Sequence, residues 1–184
     1  MEKALKSLVC VMSVLWAGVT LAQGTPSPPN PPPNPFPCES IAGSQAFDFW
    51  VGEWEVTIAD GTVVGNNYIT KEPGGCVLVE RWTSVGQTSG ISLNFFDPTT
   101  ARWRQVWVGS GGSLIDIVGG LDAADMVLEG TITYAASRIK ARFRGRWSPL
   151  EDGRVRQYFE QFNDKEGAWQ PWFEGFYRRT TSQP

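Results

Sequence analysis

Short runs of alternating apolar and polar residues occupy the chain from Phe47 onward, and they exclude most architectures. No stretch of ten or more residues keeps the 3.6-residue apolar spacing of an amphipathic helix, whereas alternation recurs at about ten-residue intervals. Gly, Pro, Asn and Asp separate the runs, as they do in turns between strands. The connections are too short for crossover helices, so consecutive strands are expected to pair antiparallel. The sequence therefore predicts an all-β domain, an antiparallel up-and-down β-barrel of about ten strands.

Turn residues mark several boundaries between the predicted strands. Asp60-Gly61 is a two-residue hairpin signal, and Asp97-Pro98 interrupts pairing. Closing ten strands removes exposed sheet edges and leaves an interior for side chains and one small ligand. The predicted strands cover residues 50–59, 62–70, 76–84, 89–97, 102–109, 112–119, 125–134, 138–148, 154–163 and 168–179.

Basic residues share one face of the strand predicted at 138–148. They alternate with apolar residues, as in a sheet that has one buried face and one hydrated face. We expect this basic face to be hydrated and paired with acids such as Glu160, although it would also suit an anionic partner. The five bases are Arg138, Lys140, Arg142, Arg144 and Arg146.

Residues 1–22 have the features of a secretory signal peptide. Lys3 and Lys6 precede an apolar stretch, and Thr20-Leu21-Ala22 supplies small residues before a cleavage site. An uncleaved membrane anchor is the alternative, but the apolar stretch is shorter than the ~20 residues that span a bilayer. The sequence thus predicts export to the periplasm or the exterior, without a stable membrane span.

Residues 23–46 form a proline-rich linker that leads into the barrel domain, predicted at 47–180. Eight of the fourteen residues in Gly24–Pro37 are proline, a composition typical of an extended polyproline spacer. A recognition motif for a proline-binding partner is the alternative. After cleavage, Cys38 and Cys76 would be the two cysteines in an oxidising compartment. We predict a disulfide between them, with two buried thiols as the alternative.

Several segments of the domain resemble a known family. The octet Phe47–Trp54 reads F-D-F-W-V-G-E-W, and G-C-V-L-V-E-R-W follows at 75–82. W-R-Q-V-W at 103–107 and F-E-G-F-Y-R-R at 173–179 complete the set. Together they resemble a family of secreted bacterial proteins of unknown function with a calycin-like barrel. The resemblance implies the fold and a cavity, but no established activity.

Within the octet, Gly52-x-Trp54 resembles the G-x-W motif of lipocalins. In that motif the tryptophan closes one barrel end and an arginine late in the chain packs over it. Arg178 or Arg179 would take that role here through a cation–π contact. Nitrobindin-like barrels hold haem through a histidine, and because this chain has none, haem binding does not carry over.

The absence of histidine excludes several kinds of active site. Ser-His and Cys-His nucleophilic pairs and imidazole-ligated zinc, iron or haem all need this residue. The sequence predicts no metal and no cofactor. A net charge of −3 gives no general reason for nucleic-acid binding either.

Polar residues share pleat faces with apolar and aromatic residues in four predicted strands. Glu80 lies between Leu78 and Trp82 on one such face. Burying a polar group without a partner costs ~1–3 kcal/mol, so these groups must bond to one another, to water or to a ligand. An internal network that fixes strand register and an aromatic-walled pocket are both consistent with this pattern. The predicted pocket residues are Trp54, Glu80, Trp82, Asn94, Trp103, Gln105, Trp107 and Gln157.

The predicted function is binding of a small, partly apolar molecule inside the barrel. One alternative is a hydrolase or isomerase that uses Glu80 as its acid–base group, with Asp116 or Glu160 as second carboxylate. Another is a filled barrel that serves as a structural or interaction module of the cell envelope. Most tryptophans are expected in the core, and Trp169 and Trp172 are the candidates for a stacking platform at a rim.

Overall fold

Residues 38–180 are described by the computed structural model, and they form ten strands with three short 3-10 helices. The helices are Cys38–Ser40, Asp48–Trp50 and Pro73–Gly75. The strands are β1 (Gly52–Thr57), β2 (Val63–Lys71), β3 (Leu78–Ser84), β4 (Ser89–Asp97), β5 (Arg102–Gly109), β6 (Ser113–Asp122), β7 (Asp125–Tyr134), β8 (Ile139–Pro149), β9 (Val155–Asn163) and β10 (Ala168–Arg179).

The ten strands form a closed antiparallel barrel. Each strand pairs with the next along the chain, and β1 pairs with β10 to complete the ring. The predicted all-β up-and-down barrel is confirmed.

The predicted signal peptide and the proline-rich tract through Pro37 lie outside the described residues. Among residues 38–180, no helix has the length and apolar character to cross a membrane.

The first strand begins two residues later than predicted. A 3-10 turn occupies the preceding residues, because the Trp50 amide donates to Phe47 O and the Val51 amide donates to Asp48 O. Gly52 then has φ 146°, which favours glycine, and a Cβ at this position would collide with the Arg179 guanidinium. Close packing of the late arginine therefore accounts for the glycine of the G-x-W segment.

Aromatic residues fill the end of the barrel at which β1 begins. Phe47 stacks on Trp50 with ring centroids 5.0 Å apart, and it meets Trp103 and Trp147 edge-on. Both Phe47 and Trp50 are fully buried, although they precede the first strand. The segment that leads into the barrel thus closes this end, which we call the closed end.

A disulfide and an ion pair hold the leading segment in place. The predicted bond between Cys38 and Cys76 is present, and it joins the first 3-10 helix to the β2–β3 connection. Lys71 at the end of β2 donates to Asp48 at 2.6 Å. Both links act on the segment that carries Phe47, so they support the closure of this end.

The basic row of β8 is paired with acids on the outer face of the barrel. Arg144 binds Glu160 at 2.6 Å, as the sequence predicted, and Arg142 binds Glu129 at 3.0 Å. Arg146 lies 2.5 Å from Asp125. These pairs compensate the charge of three of the five bases of the row.

The Arg142–Glu129 pair is expected to contribute little to stability. Both side chains are about half exposed, so solvent and salt screen their attraction. In a double-mutant cycle with Arg142→Ala and Glu129→Ala, urea unfolding should give a coupling free energy of about 0.2–1 kcal/mol. A coupling above about 2 kcal/mol would contradict the description of this face as hydrated.

Candidate functional site

A cavity of about 300 Å³ lies inside the barrel. Ser84 and Thr88 at the β3–β4 connection line it, and this connection is at the barrel end opposite the β1 start, here called the open end. Most of the wall is apolar, formed by Val64, Trp82, Trp107, Ile115, Phe159, Trp172, Phe173 and Tyr177. The other polar side chains of the wall are Glu80, Gln105 and Gln157.

Glu80 is the carboxyl group of the cavity. Its strand β3 lies between β2 and β4, and its register partners are Ile69 and Ser92. The side chain is 4% exposed, and its two oxygens accept hydrogen bonds from Asn67 at 2.7 Å and from Ser92 at 2.6 Å. Burial raises the pKa of Glu80 from 4.5 to about 7, although the two hydrogen bonds favour the charged form.

A chain of hydrogen bonds extends from Glu80 along the cavity wall. Gln105 Nε2 donates to Asn94 Oδ1 at 2.8 Å, and Asn94 Nδ2 donates to Ser92 Oγ at 2.8 Å. Asn94 Nδ2 also lies 3.2 Å from Leu78 O, and a carbonyl can only accept, so the amide has one orientation. Every donor in the chain therefore points toward the carboxylate.

A second branch of the network approaches from β10. The Tyr177 hydroxyl donates to Gln157 Oε1 in a short hydrogen bond, and Asn67 Nδ2 lies 3.4 Å from the same hydroxyl. Burial, followed by the negative charge of Glu80, raises the pKa of Tyr177 well above 10. The phenol is therefore neutral at physiological pH and acts as a donor.

Five of the eight predicted pocket residues line the cavity together. They are Glu80, Trp82, Gln105, Trp107 and Gln157. Asn94 lies behind the wall, where it connects Gln105 to Ser92.

Trp54 and Trp103, which the sequence placed in the cavity wall, lie at the closed end instead. Trp54 donates to Trp50 O at 2.9 Å, and the Arg179 guanidinium is centred 4.2 Å from its ring. Trp103 donates to Gly43 O at 3.0 Å. The prediction that Trp54 and Trp103 line the cavity is therefore corrected. The leading segment covers both indoles, so they belong to the core.

Three residues of the network were missed as site residues: Asn67, Ser92 and Tyr177. All three are buried polar residues with the pleat parity of the core, and the same alternation that selected Glu80 contained the signal for them. Asn67 lies between the inward positions Gly65 and Ile69. Its Oδ1 atom is buried and has no hydrogen-bond partner among residues 38–180.

Trp172 borders the open end of the cavity. A register shift between Pro171 and Phe173 displaces it from the β9–β10 ladder, and it remains 43% exposed. Its indole donates to the Tyr134 hydroxyl at 2.8 Å. Trp169 lies on the outer surface, where the Arg144 guanidinium is centred 4.3 Å from its ring. Of the two tryptophans considered for a rim, Trp172 alone lines the cavity.

The second carboxylates considered for an enzyme lie outside the barrel. Asp116 binds Arg104 in a two-point ion pair, and Glu160 binds Arg144. Neither therefore shares the cavity with Glu80.

A comparison with protein-family models gave no match, and neither did a comparison with curated proteins. Among the described residues, no group of acids and cysteines is arranged to hold a metal ion.

Proposed function

We propose that this protein is an exported binding protein that holds a small, partly apolar molecule in the cavity of its barrel. The observation that carries the proposal is the cavity itself, whose aromatic walls meet a cluster of buried polar groups on one side. Its volume of about 300 Å³ is at the lower end of the range for ligand sites, ~300–1,000 Å³. Glu80, Gln105 and Gln157 would orient the polar group of the ligand.

Two further features support this proposal. The disulfide Cys38–Cys76 is a bond that persists in oxidising compartments, which supports export. The Arg179 contact over Trp54 is the arrangement that the lipocalin-like segment implies, and it supports kinship with barrels that enclose ligands. The filled closed end and the hollow open end would then give a cup with one opening.

Binding of 2-phenylethanol tests the proposal, because this probe combines one ring with one hydroxyl. Titration followed by amide chemical shifts should perturb the lining residues, and Trp82→Ala should weaken the affinity by about tenfold. The physical reason is that truncation removes an aromatic wall of the cavity, an effect of about 1–2 kcal/mol.

Trp169→Ala is the matched control for this titration. It removes the same side chain from the outer surface, and the affinity should stay within about twofold of the unmodified protein. Shifts confined to outer-face residues, or equal losses in both variants, would contradict binding in the cavity.

Acid–base catalysis by Glu80 is a second candidate function. The Tyr177 hydroxyl supports it, because Asn67 Nδ2 lies within hydrogen-bonding reach of both groups, at 2.7 Å and 3.4 Å. A carboxyl group with a pKa of about 7 is suited to proton transfer at neutral pH. Solvent deuterium exchange into a bound ketone, abolished by Glu80→Gln, would distinguish catalysis from binding.

A further inference from the structure

We propose that the cavity selects organic cations, with an ammonium group bound at Glu80 and an apolar body against the tryptophan rings. This inference rests on the function proposed above and names the ligand class for the same site. It follows from the charge of the lining, from the direction of the hydrogen bonds and from the composition of the walls.

The interior charge is unbalanced. Among the described residues, Glu80 is the only acid that lines the cavity, and no lysine or arginine lines it. The basic residues of β8 face outward, and Arg144 is already paired with Glu160. An anionic ligand would therefore meet repulsion without any compensating cation, whereas an ammonium ion would supply the missing counter-charge.

The hydrogen-bond network leaves Glu80 able to accept further hydrogen bonds. Asn67 and Ser92 each donate to a different carboxylate oxygen, and the chain from Gln105 through Asn94 ends at Ser92. A carboxylate has about four acceptor sites, so two remain after these bonds. A primary ammonium group carries three donors, which would satisfy this remaining capacity.

The walls suit the rest of a cationic ligand. Trp82, Trp107 and Trp172 line the cavity together with Phe173, and aromatic faces attract cations through their quadrupoles. The same rings cover an apolar body. A volume of about 300 Å³ equals about ten water volumes, so the ligand is an amine with a single small ring or a short chain.

The pH dependence of binding would belong to Glu80. The groups that face it are Asn67 from β2, Ser92 from β4 and, across the barrel, Tyr177. Of these only Tyr177 titrates, and it stays neutral because burial raises its pKa well above 10. Because burial also raises the pKa of Glu80 to about 7, cation affinity should fall as the pH drops through neutrality.

The test compares phenethylamine, 2-phenylethanol and phenylacetate by calorimetry at constant ionic strength. The amine keeps its charge between pH 5 and pH 8, because alkylamines titrate near pH 10. At pH 8 we expect the amine to bind at least tenfold more tightly than the alcohol, and the acid to bind most weakly. Amine affinity should then fall about tenfold for each pH unit below 7 until it reaches that of the alcohol.

Two variants test whether Glu80 is responsible for the amine affinity and for its pH dependence. Glu80→Gln should lower the amine affinity at pH 8 at least tenfold and remove its pH dependence. Glu160→Gln, which changes a carboxylate on the outer face, should leave both unchanged. If Glu80→Gln does not fold, the order of the three affinities at pH 8 in the unmodified protein still decides whether the cavity selects cations.

The outcomes separate this inference from the proposed function. Equal affinities of amine and alcohol at pH 8, with binding in the cavity, would overturn cation selection and leave small-molecule binding standing. Absence of binding by all three probes would overturn both. An amine affinity that Glu80→Gln leaves unchanged at pH 8 would show that Glu80 is not the group that holds the cation.

Discussion

Replacing Trp147 with alanine is expected to lower the free energy of unfolding by about 3–5 kcal/mol. Trp147 is fully buried in β8, and its ring lies 5.2 Å from both Phe47 and Phe159 and 5.6 Å from Trp50. Its truncation would open a void where the leading segment meets the barrel wall. The indole N–H of Trp147 has no partner among residues 38–180, which places the loss toward the lower end of this range.

Trp169→Ala is the control for this prediction as well. Trp169 packs on the outer surface against Phe162 and Arg144, so the same truncation there should cost about 1 kcal/mol or less. Urea denaturation with unchanged m-values would give both free energies. A loss below about 1.5 kcal/mol for Trp147→Ala would show that the closed end is not the main core of the barrel.

The strand pattern could be predicted because its physical causes are local. A period of two follows from the pleat, and turns follow from residues such as Asp60-Gly61 that adopt turn conformations easily. Some boundaries differ, because β1 and β3 begin two residues later than predicted and β6 ends three residues later. At the start of β1, the leading segment forms a 3-10 turn around Trp50. That turn depends on the packing of Trp50 against Trp147 and Phe47. Trp147 is distant in sequence, and Phe47 lies outside the pattern of alternating residues.

The site was predictable only in part. Pleat parity shows which face of the sheet a side chain lies on, but not its depth along the barrel axis. Trp103 and Trp107 have the same parity on β5, yet one lies at the closed end and the other lines the cavity. Depth depends on strand tilt and stagger, which are properties of the closed barrel. The same limit explains why Trp54 was assigned to the cavity wall.

The hollow open end supports the proposed binding protein over a filled structural barrel. Aromatic rings fill the closed end, where Phe47 and Trp50 are buried completely. At the open end, the wall encloses about 300 Å³ and Trp172 keeps much of its surface exposed. A barrel selected for stability alone would fill this volume, because cavities cost stability in proportion to their size.

Glu80→Gln is expected to stabilise the protein by about 3 kcal/mol at pH 8 and to leave its stability nearly unchanged at pH 4. The pKa of Glu80 is about 7 in the folded protein, against an ordinary value of 4.5, so the folded state binds this proton more tightly. The stabilising effect of the bound proton is complete below pH 4.5 and is lost as the pH rises through 7. The full difference corresponds to about 3 kcal/mol, and glutamine, which does not ionise, avoids that loss.

Unfolding free energies of both proteins, measured from pH 4 to pH 8, test this prediction. The difference between them isolates Glu80, because outer-face pairs such as Arg104–Asp116 contribute equally to both proteins. Glu160→Gln should instead destabilise slightly at pH 8, since it removes an ion pair with Arg144. A buried acid that weakens the fold at neutral pH is the kind of local conflict that is expected at functional sites. A difference that stays constant between pH 4 and pH 8 would mean that Glu80 ionises normally, and it would remove the expected fall of cation affinity near pH 7.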